Sequence, residues 1–184
     1  MRIIGGSARG RRLFAPRGRD IRPTPDRVRE AVFNILGDIA GLTVLDLFAG
    51  TGAMGLEALS RGAAWCTFVD NGREALELIA RNAAACGFDN LAIVRADPSR
   101  NLARLGKLSR RYDLVFCDPP YGQGLVPRTL ARLEASGLLA PGATIVAEHA
   151  LDDEVGGAGR LSATDSRAYG DVHITFLTET DHTP

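Results

Sequence analysis

The sequence has few cysteines, no long apolar run and no net charge, and each absence narrows what the protein can be. The three cysteines, Cys66, Cys86 and Cys117, are odd in number and lack metal-ligand spacing, which indicates reduced core residues and predicts no metal site. No stretch approaches the roughly 18 apolar residues of a membrane span, and Met1–Ser7 has no apolar signal core. We therefore expect a cytoplasmic globular protein with a substantial core and no membrane partner.

The zero net charge hides a strong asymmetry along the chain. Residues 1–29 hold nine arginines against Asp20 and Asp26, a balance of +7, so the remaining residues carry −7. A basic segment on an acidic body is typical of proteins that bind polyanions, because phosphate contacts supply most nonspecific affinity for nucleic acid. Apolar residues and glycines within the segment favour a folded hairpin over a disordered tail. We expect its strands to be Arg2–Ser7 and Arg11–Ala15, on either side of Gly10.

The rest of the sequence alternates between strand-length apolar runs and helical segments. A first helix is marked by Thr24 as N-cap, Pro25 in the first turn and Gly37 at its end. The alternation that follows is typical of βαβ units, and Arg160–Ala168 with Val172–Thr178 predict a closing antiparallel hairpin at one sheet edge. We therefore predict an α/β fold with a mostly parallel seven-stranded sheet. Its other strands are expected at 43–48, 65–70, 91–95, 113–117 and 143–148, and its other helices at 53–61, 73–86, 100–108 and 125–136.

A glycine-rich turn follows the first of these strands. Gly50, Gly52 and Gly55 match the dinucleotide-binding spacing G-x-G-x-x-G, which alone is a weak signal. Asp46 argues against a dinucleotide because its carboxylate would repel a pyrophosphate, whereas it would attract the sulfonium and ammonium of S-adenosylmethionine (SAM). Asp70 ends the next strand and can accept both ribose hydroxyls of either ligand.

Ligands of open α/β sheets bind beyond the carboxyl ends of the strands, and four aspartates of this sequence fall there. A bound ligand would offset the mutual repulsion of Asp46, Asp70, Asp97 and Asp118. Asp97 lies where the adenine amine of SAM needs an acceptor, although Asp97 or Asp70 could instead cap a helix. The predicted cofactor-binding residues are Asp46, Phe48, Ala49, Gly50, Thr51, Gly52, Asp70, Asn71, Ala96 and Asp97.

A second motif, Asp118-Pro119-Pro120-Tyr121, follows the apolar run 112–117. Its two prolines fix φ and lack N–H donors, so the backbone cannot continue as a strand and its carbonyls turn outward. Asp118 and the Pro119 carbonyl can then accept both hydrogens of an amine, while the Tyr121 ring stacks on the heterocycle that carries it. This layout predicts methylation of a nucleobase nitrogen, with Asp118, Pro119, Pro120 and Tyr121 as the catalytic residues.

With these motifs the chain resembles the Rossmann-like SAM-dependent methyltransferases, and most closely the bacterial 16S rRNA guanine-N2 methyltransferase family. The resemblance implies SAM as cofactor, residues 118–121 as the catalytic loop, and a guanine of 16S rRNA, position 966, as acceptor. It rests on Arg22-Pro23-Thr24, Arg27–Ala31, Phe33-Asn34, Leu45–Gly52, Gly55, Glu57, Ala58, Asp118–Tyr121 and Tyr169-Gly170.

The same resemblance gives the basic arm, residues 1–22, the role of binding RNA and assigns residues 23–184 to the methyltransferase domain. Family members often carry lysine around Ala8–Arg11 and glutamate at position 70, where this chain has arginines and aspartate. The expected partner is 16S rRNA within a partly or fully assembled small subunit, and the expected state is a monomer. The predicted RNA contacts are Arg9, Arg11, Arg12, Arg17, Arg19 and Arg22.

Three alternative functions use the same features differently. An amino-methyltransferase acting on DNA adenine or a protein glutamine amide would use the same motifs, although the sequence leaves little room for a DNA target-recognition region. An NAD-dependent oxidoreductase would use Gly50–Gly55 and leave Asp118–Tyr121 unexplained. A noncatalytic RNA-binding protein would leave both motifs without a purpose.

Overall fold

The predicted alternation of strands and helices is present in the structure, a computed structural model that describes residues 1–16, 25–151, 155 and 159–179. The chain divides into two units, Met1–Arg95 and Ala96–Pro184. Each unit has its own strands, helices and buried apolar residues. In the parts of the chain that the structure describes, no helix is long and apolar enough to cross a membrane.

The described residues of the first unit form three parallel strands that alternate with three helices. The strand order is β3-β2-β1. Strands β1 and β2 are buried along most of their length, as apolar parallel strands covered on both faces should be. In chain order the elements are α1 (Asp26–Leu36), β1 (Thr43–Leu47), α2 (Ala53–Ser60), β2 (Trp65–Asp70), α3 (Arg73–Cys86) and β3 (Leu91–Arg95).

Helix α2 packs closely on β2 because it has a glycine at the contact. A Cβ at Gly55 would lie 2.6 Å from the Cys66 sulfur and still closer to the Phe68 ring. Real Cβ atoms essentially never approach so closely, so any side chain here would push the helix away from the strand. The third glycine of the fingerprint therefore sets the distance between α2 and β2.

The described residues of the second unit hold four strands in the order β4-β5-β7-β6. Strands β4 and β5 are parallel, whereas β7 pairs antiparallel with both β5 and β6. The predicted closing hairpin at a sheet edge is therefore confirmed, with β6 as the outer strand. In chain order the elements are a 3₁₀ helix (Ala103–Leu108), β4 (Tyr112–Cys117), α4 (Leu125–Ala135), β5 (Leu139–His149), β6 (Leu161–Tyr169) and β7 (Val172–Glu179).

The structure corrects several predicted boundaries. The helix predicted at 100–108 begins at Ala103 and is a 3₁₀ helix, and the ends of several other elements differ by one residue. Helix α1 begins at Asp26, so Pro25 is its N-cap and not a first-turn residue, while Thr24 lies outside the described residues. Strand β5 begins at Leu139, four residues earlier than predicted, because Leu139 already pairs with Tyr112 ahead of a Pro-Gly pair that the sequence indicates as a break.

The basic arm has less regular structure than predicted. Its described part, residues 1–16, contains one isolated antiparallel bridge, Arg2 to Arg12, in place of the two predicted strands. The Ile3 N–H donates to the Arg11 carbonyl at 2.9 Å, and the Gly10 N–H donates to the Ile3 carbonyl at the same distance.

The pairing stops after Ile3 because the following N–H groups turn toward helix α2. The Glu57 carboxylate accepts hydrogen bonds from the Ile4 N–H at 2.7 Å and the Gly5 N–H at 2.8 Å. The Ser60 hydroxyl then accepts from the Ala8 N–H at 2.9 Å. The arm is thus fixed to α2 by polar side chains, which use the donors that a second strand would have needed.

Candidate active site

The turn after β1 has a strained backbone. Phe48, the first residue beyond the strand, has φ +58°, a left-handed conformation that is uncommon for a bulky side chain. Gly50 and Gly52 follow with φ +53° and +78°. Such strain persists only where surrounding contacts hold it, and it is typical of ligand sites. The predicted cofactor residues Phe48–Gly52 therefore form one continuous turn between β1 and α2.

Asp46 lies beneath this turn, with only 3% of its surface exposed. Its Oδ2 atom accepts one hydrogen bond, from the Gly55 N–H at 2.9 Å. Burial raises the pKa of Asp46 to about 8, the Gly55 hydrogen bond opposes part of that shift, and the neighbouring Asp70 charge adds to it. A carboxyl group with so high a pKa keeps its proton near neutral pH, and a bound cation would favour its ionised form.

Asp70, at the end of β2, holds the glycine turn in place. One carboxylate oxygen accepts the Gly50 N–H at 2.9 Å, and the other accepts the Gly72 N–H at 2.8 Å. Each oxygen keeps a further lone pair for a ligand hydroxyl. Asn71, the next predicted residue, is exposed at the start of the β2–α3 connection.

Ala96 and Asp97 follow β3 and begin the second unit. The Asp97 Oδ1 atom accepts the Ser99 N–H at 3.0 Å and the Ser99 hydroxyl at 2.7 Å, while Oδ2 lies 3.3 Å from the Arg100 guanidinium. Asp97 therefore stabilises the turn that follows it and does not cap the next helix, which begins at Ala103 after Leu102. Its proposed adenine contact stays a prediction.

The motif Asp118–Tyr121 lies at the carboxyl end of β4, between that buried strand and α4. Asp118 is half-buried and Pro119 buried, whereas Pro120 and Tyr121 are exposed. Gly122 and Gly124, both with positive φ, continue the loop to the start of α4. The structure therefore places the motif where the sequence predicted, on a loop at the end of a strand, with its last two residues exposed.

Tyr121 is held at one end and exposed at the other. Its hydroxyl donates to the Glu148 Oε1 atom at 2.6 Å, while the residue keeps 41% of its surface exposed. Glu148 is the next-to-last residue of β5 and is 8% exposed. The hydrogen bond fixes the direction of the ring and leaves ring surface open for stacking.

The predicted RNA-binding arginines fall into two groups. Arg9, Arg11 and Arg12 are exposed and form no ion pair with any carboxylate in the described ranges. Arg17, Arg19 and Arg22 lie outside the described residues. Across the bridge, Arg12 stands directly opposite Arg2, which lies 3.7 Å from Asp26.

With this geometry established, a family model matches residues 1–178, nearly the whole chain. Its description is "Conserved hypothetical protein 95". The chain belongs to this family. A relative with the same overall pattern is the ribosomal RNA small subunit methyltransferase D of Escherichia coli K12, 41% identical over 154 residues, which is 83% of this chain and 76% of the relative. The predicted resemblance is therefore confirmed.

Solved structures place the conserved hypothetical protein 95 family among the Rossmann-like folds. The Escherichia coli protein yhhF has a TM-score of 0.84 and 35% identity, with 98% of each chain covered. SMU.776, solved complexed with SAH, has a TM-score of 0.66 and 20% identity over 83% of this chain and 48% of its own, which shows a shared fold. The predicted α/β fold with parallel strands and an antiparallel closing hairpin is confirmed.

Two residues of this family member that support the site were not identified from the sequence. Glu148 follows the buried run Ile145–Ala147, so the strand-end position that singled out the four aspartates also applies to it. Asn82 is fully buried in α3 and donates to the Thr51 carbonyl of the glycine turn at 2.9 Å. Nothing in its helical surroundings distinguishes it from an ordinary polar helix residue.

Proposed function

We propose that this protein transfers a methyl group from SAM to the exocyclic N2 amine of a guanine in 16S rRNA, position 966 by the family resemblance. The predicted class, a SAM-dependent methyltransferase of small-subunit rRNA, is confirmed by the methyltransferases to which the chain is similar. The observation that carries the proposed chemistry is the Asp118–Tyr121 loop, an amine-holding motif at the end of a buried parallel strand.

The residues of the first unit fit SAM as the methyl donor. Asp46 is a nearly buried carboxyl group that accepts a hydrogen bond from the Gly55 N–H, and a cationic ligand would stabilise its ionised form. A Cβ at Gly50 would meet only the Phe48 carbonyl, at 3.9 Å, so the turn leaves space for a nucleoside. Asp46 would face the cationic part of the ligand and Asp70 the ribose. Bound SAM supplies an electrophilic methyl group on a sulfonium.

The second unit supplies groups suited to the acceptor amine. The N2 lone pair of guanine is delocalised into the ring, so this amine is a poor nucleophile. During transfer the nitrogen becomes tetrahedral and positively charged, and acceptors aimed at its hydrogens then bind more strongly than in the planar ground state. Asp118 and the Pro119 carbonyl are proposed as these acceptors. The extra proton leaves to Asp118 or to water.

Glu148 acts in this proposal as a positioning residue. It orients Tyr121 through the 2.6 Å hydrogen bond and does not touch the reacting atoms. A ring with one fixed direction loses less freedom when the guanine stacks on it, and alignment of reacting groups supplies a large part of catalysis. The guanine must leave its own stack to reach the ring, which favours a loop over a duplex.

The basic arm is proposed to hold the rRNA. Arg9, Arg11 and Arg12 are exposed cations on a backbone fixed to α2, so they can meet phosphates without first being ordered. Arg17, Arg19 and Arg22 continue the same basic segment of the sequence. We place the reaction in the cytoplasm, on RNA within a partly or fully assembled small subunit.

Transfer of labelled methyl from SAM tests the reaction and the acceptor together. The acceptors are naked 16S rRNA and small subunits that lack the modification, and nucleoside analysis identifies the product. We expect N2-methylguanosine, with the preferred acceptor identifying the form of the substrate. Label in neither RNA, with SAM still bound, would redirect the search to DNA or protein amides.

A salt titration tests the arm. Replacing Arg9, Arg11 and Arg12 together by alanine should weaken RNA binding. It should also reduce the magnitude of the slope of log K against log salt by about two to three. Arg73→Ala, which removes an exposed arginine paired with Glu77 at 2.8 Å, is the matched control. An unchanged slope in the triple variant would show that the arm does not contact phosphate.

A further inference from the structure

Phe14, in the second half of the arm, is fixed to helix α3 by a buried amide. The Phe14 N–H donates to the Asn82 Oδ1 atom at 2.7 Å, and the Asn82 amide donates back to the Phe14 carbonyl at 3.1 Å. Asn82 has no exposed surface. The main chain at Phe14 is therefore held at both its donor and its acceptor, which fixes where its ring is presented.

The Phe14 ring carries a cation on one face. The Arg81 guanidinium carbon lies 3.4 Å from the ring centroid, and Arg81 comes directly before Asn82 on α3. Phe14 nevertheless keeps 39% of its surface exposed, and Arg81 is exposed as well. An apolar ring that could have been buried is thus presented to solvent together with a charged plane.

Arg11, three residues before Phe14, is a further exposed cation of the arm. Burial raises the pKa of the Cys86 thiol, and the Arg11 charge opposes part of that shift. The arm contacts α3 at Phe14, through Asn82 and Arg81. Within the described ranges neither Arg11 nor Arg81 forms an ion pair, whereas Arg73 on the same helix is paired with Glu77.

We propose that Phe14 and Arg81 form a stacking platform for an unpaired RNA base, and that Arg81 and Arg11 bind the phosphates on either side of it. Unpaired RNA bases are recognised by stacking on aromatic rings and guanidinium planes beside cations that follow the backbone. The inference rests on the proposed function for its choice of RNA. It extends the RNA-binding surface from the arm onto the catalytic domain.

A competing explanation is that Arg81 covers Phe14 only to secure the arm. The two explanations differ in what they expect of ligands, because a purely structural pair has no preference between a polyanion with bases and one without. Labelled single-stranded RNA of mixed sequence and inorganic polyphosphate of similar length are therefore the two probes. Thermal unfolding reports on the arm independently.

Three variants of the full chain are compared with the wild type in these assays. Arg81→Ala should weaken RNA binding about fivefold at 0.1 M salt and reduce the salt slope by about 0.7, the value for one phosphate contact on a single strand. Phe14→Leu keeps an apolar side chain but loses the ring, so it should weaken RNA binding by at least about fivefold and leave polyphosphate binding unchanged. Arg73→Ala should change neither.

Two outcomes would overturn the proposal. In the first, Arg81→Ala and Phe14→Leu bind RNA as tightly as Arg73→Ala. In the second, both variants lose RNA and polyphosphate affinity equally while unfolding at lower temperature, which would assign the pair to support of the arm. Methyl transfer by the wild type to small subunits is measured alongside. Absence of transfer with RNA affinity still dependent on Phe14 would refute the proposed function and keep the platform.

Discussion

The turn after β1 and the loop after β4 both follow a buried parallel strand, but different groups hold them in place. Each has a carboxylate close by. In the turn, the main chain itself is held by Asp70 and Asn82, while Asp46 holds the first turn of α2. In the loop, Tyr121 is held through its side-chain hydroxyl and stays 41% exposed. A site made of fixed backbone suits one small ligand, whereas an open side-chain site suits a macromolecule.

The sharpest test of this difference between the turn and the loop is to remove the Asp118 carboxylate of the loop. Asp118→Ala should lower kcat by about 10²- to 10³-fold, the loss found when one preorganised group is removed from a developing charge. SAM affinity should stay near that of the wild type, as measured by calorimetry. Asp165→Asn, on the outer strand β6, is the control. Loss of SAM binding in Asp118→Ala would instead assign Asp118 to the cofactor.

The opposite pattern is expected for the carboxylate of the turn. Asp46→Asn should weaken SAM binding by about 30-fold or more, because it removes the buried partner of a cation. Because burial raises the pKa of Asp46 to about 8, the wild type should release a proton when SAM binds, and its affinity should rise with pH up to about 8. The exposed Asp89→Asn is the control. Equal pH slopes in Asp46→Asn and wild type would contradict this role.

The same pKa predicts how stability depends on pH without ligand. Burial raises the pKa of Asp46 from 3.8 to about 8, so between these values the unfolded state is ionised while the folded state keeps its proton. The contribution of Asp46 to stability is therefore present below pH 4 and is lost as the pH rises toward 8. Asp46→Asn should unfold at a higher temperature than wild type near pH 8 and at a similar temperature near pH 4.

A smaller effect is expected from the hydrogen bond that orients Tyr121. Tyr121→Phe and Glu148→Leu each remove it, and each should cost about tenfold in kcat/KM, the equivalent of one hydrogen bond. If Glu148 acts only through Tyr121, the double variant should be no worse than Glu148→Leu alone. Glu148→Gln keeps an acceptor and should recover most of the activity. Additive losses would show that Glu148 has another role.

The smallest effect on catalysis is expected from the link between the turn and the arm. Asn82→Ala leaves a buried N–H and two carbonyls without their partner, which should lower the free energy of unfolding by about 1–3 kcal/mol. Affinity for SAM and for RNA should both fall a few-fold, because the amide supports both regions. Asn34→Ala, on the exposed face of α1, is the control. A loss confined to one ligand would show that the two regions are independent.

Much of the fold could be predicted because its strands and helices have strong local patterns. The bounds of β2, α3 and β3 were predicted to the residue. The position of the Asp118–Tyr121 loop followed from the same reasoning, since carboxyl ends of parallel strands carry ligand sites. What could not be predicted depends on partners distant in sequence. The arm stops pairing because Glu57 accepts its donors, and Phe48 leaves the strand because the glycine turn requires it.

The isolated bridge of the arm bears on its proposed contact with RNA. Arg2 and Arg12 stand directly opposite each other, an arrangement that costs free energy between like charges. A phosphate between them would convert that repulsion into two attractions. If the arm binds RNA as proposed, the amide hydrogens of Ile3 and Gly10 should exchange with solvent more slowly once RNA is bound.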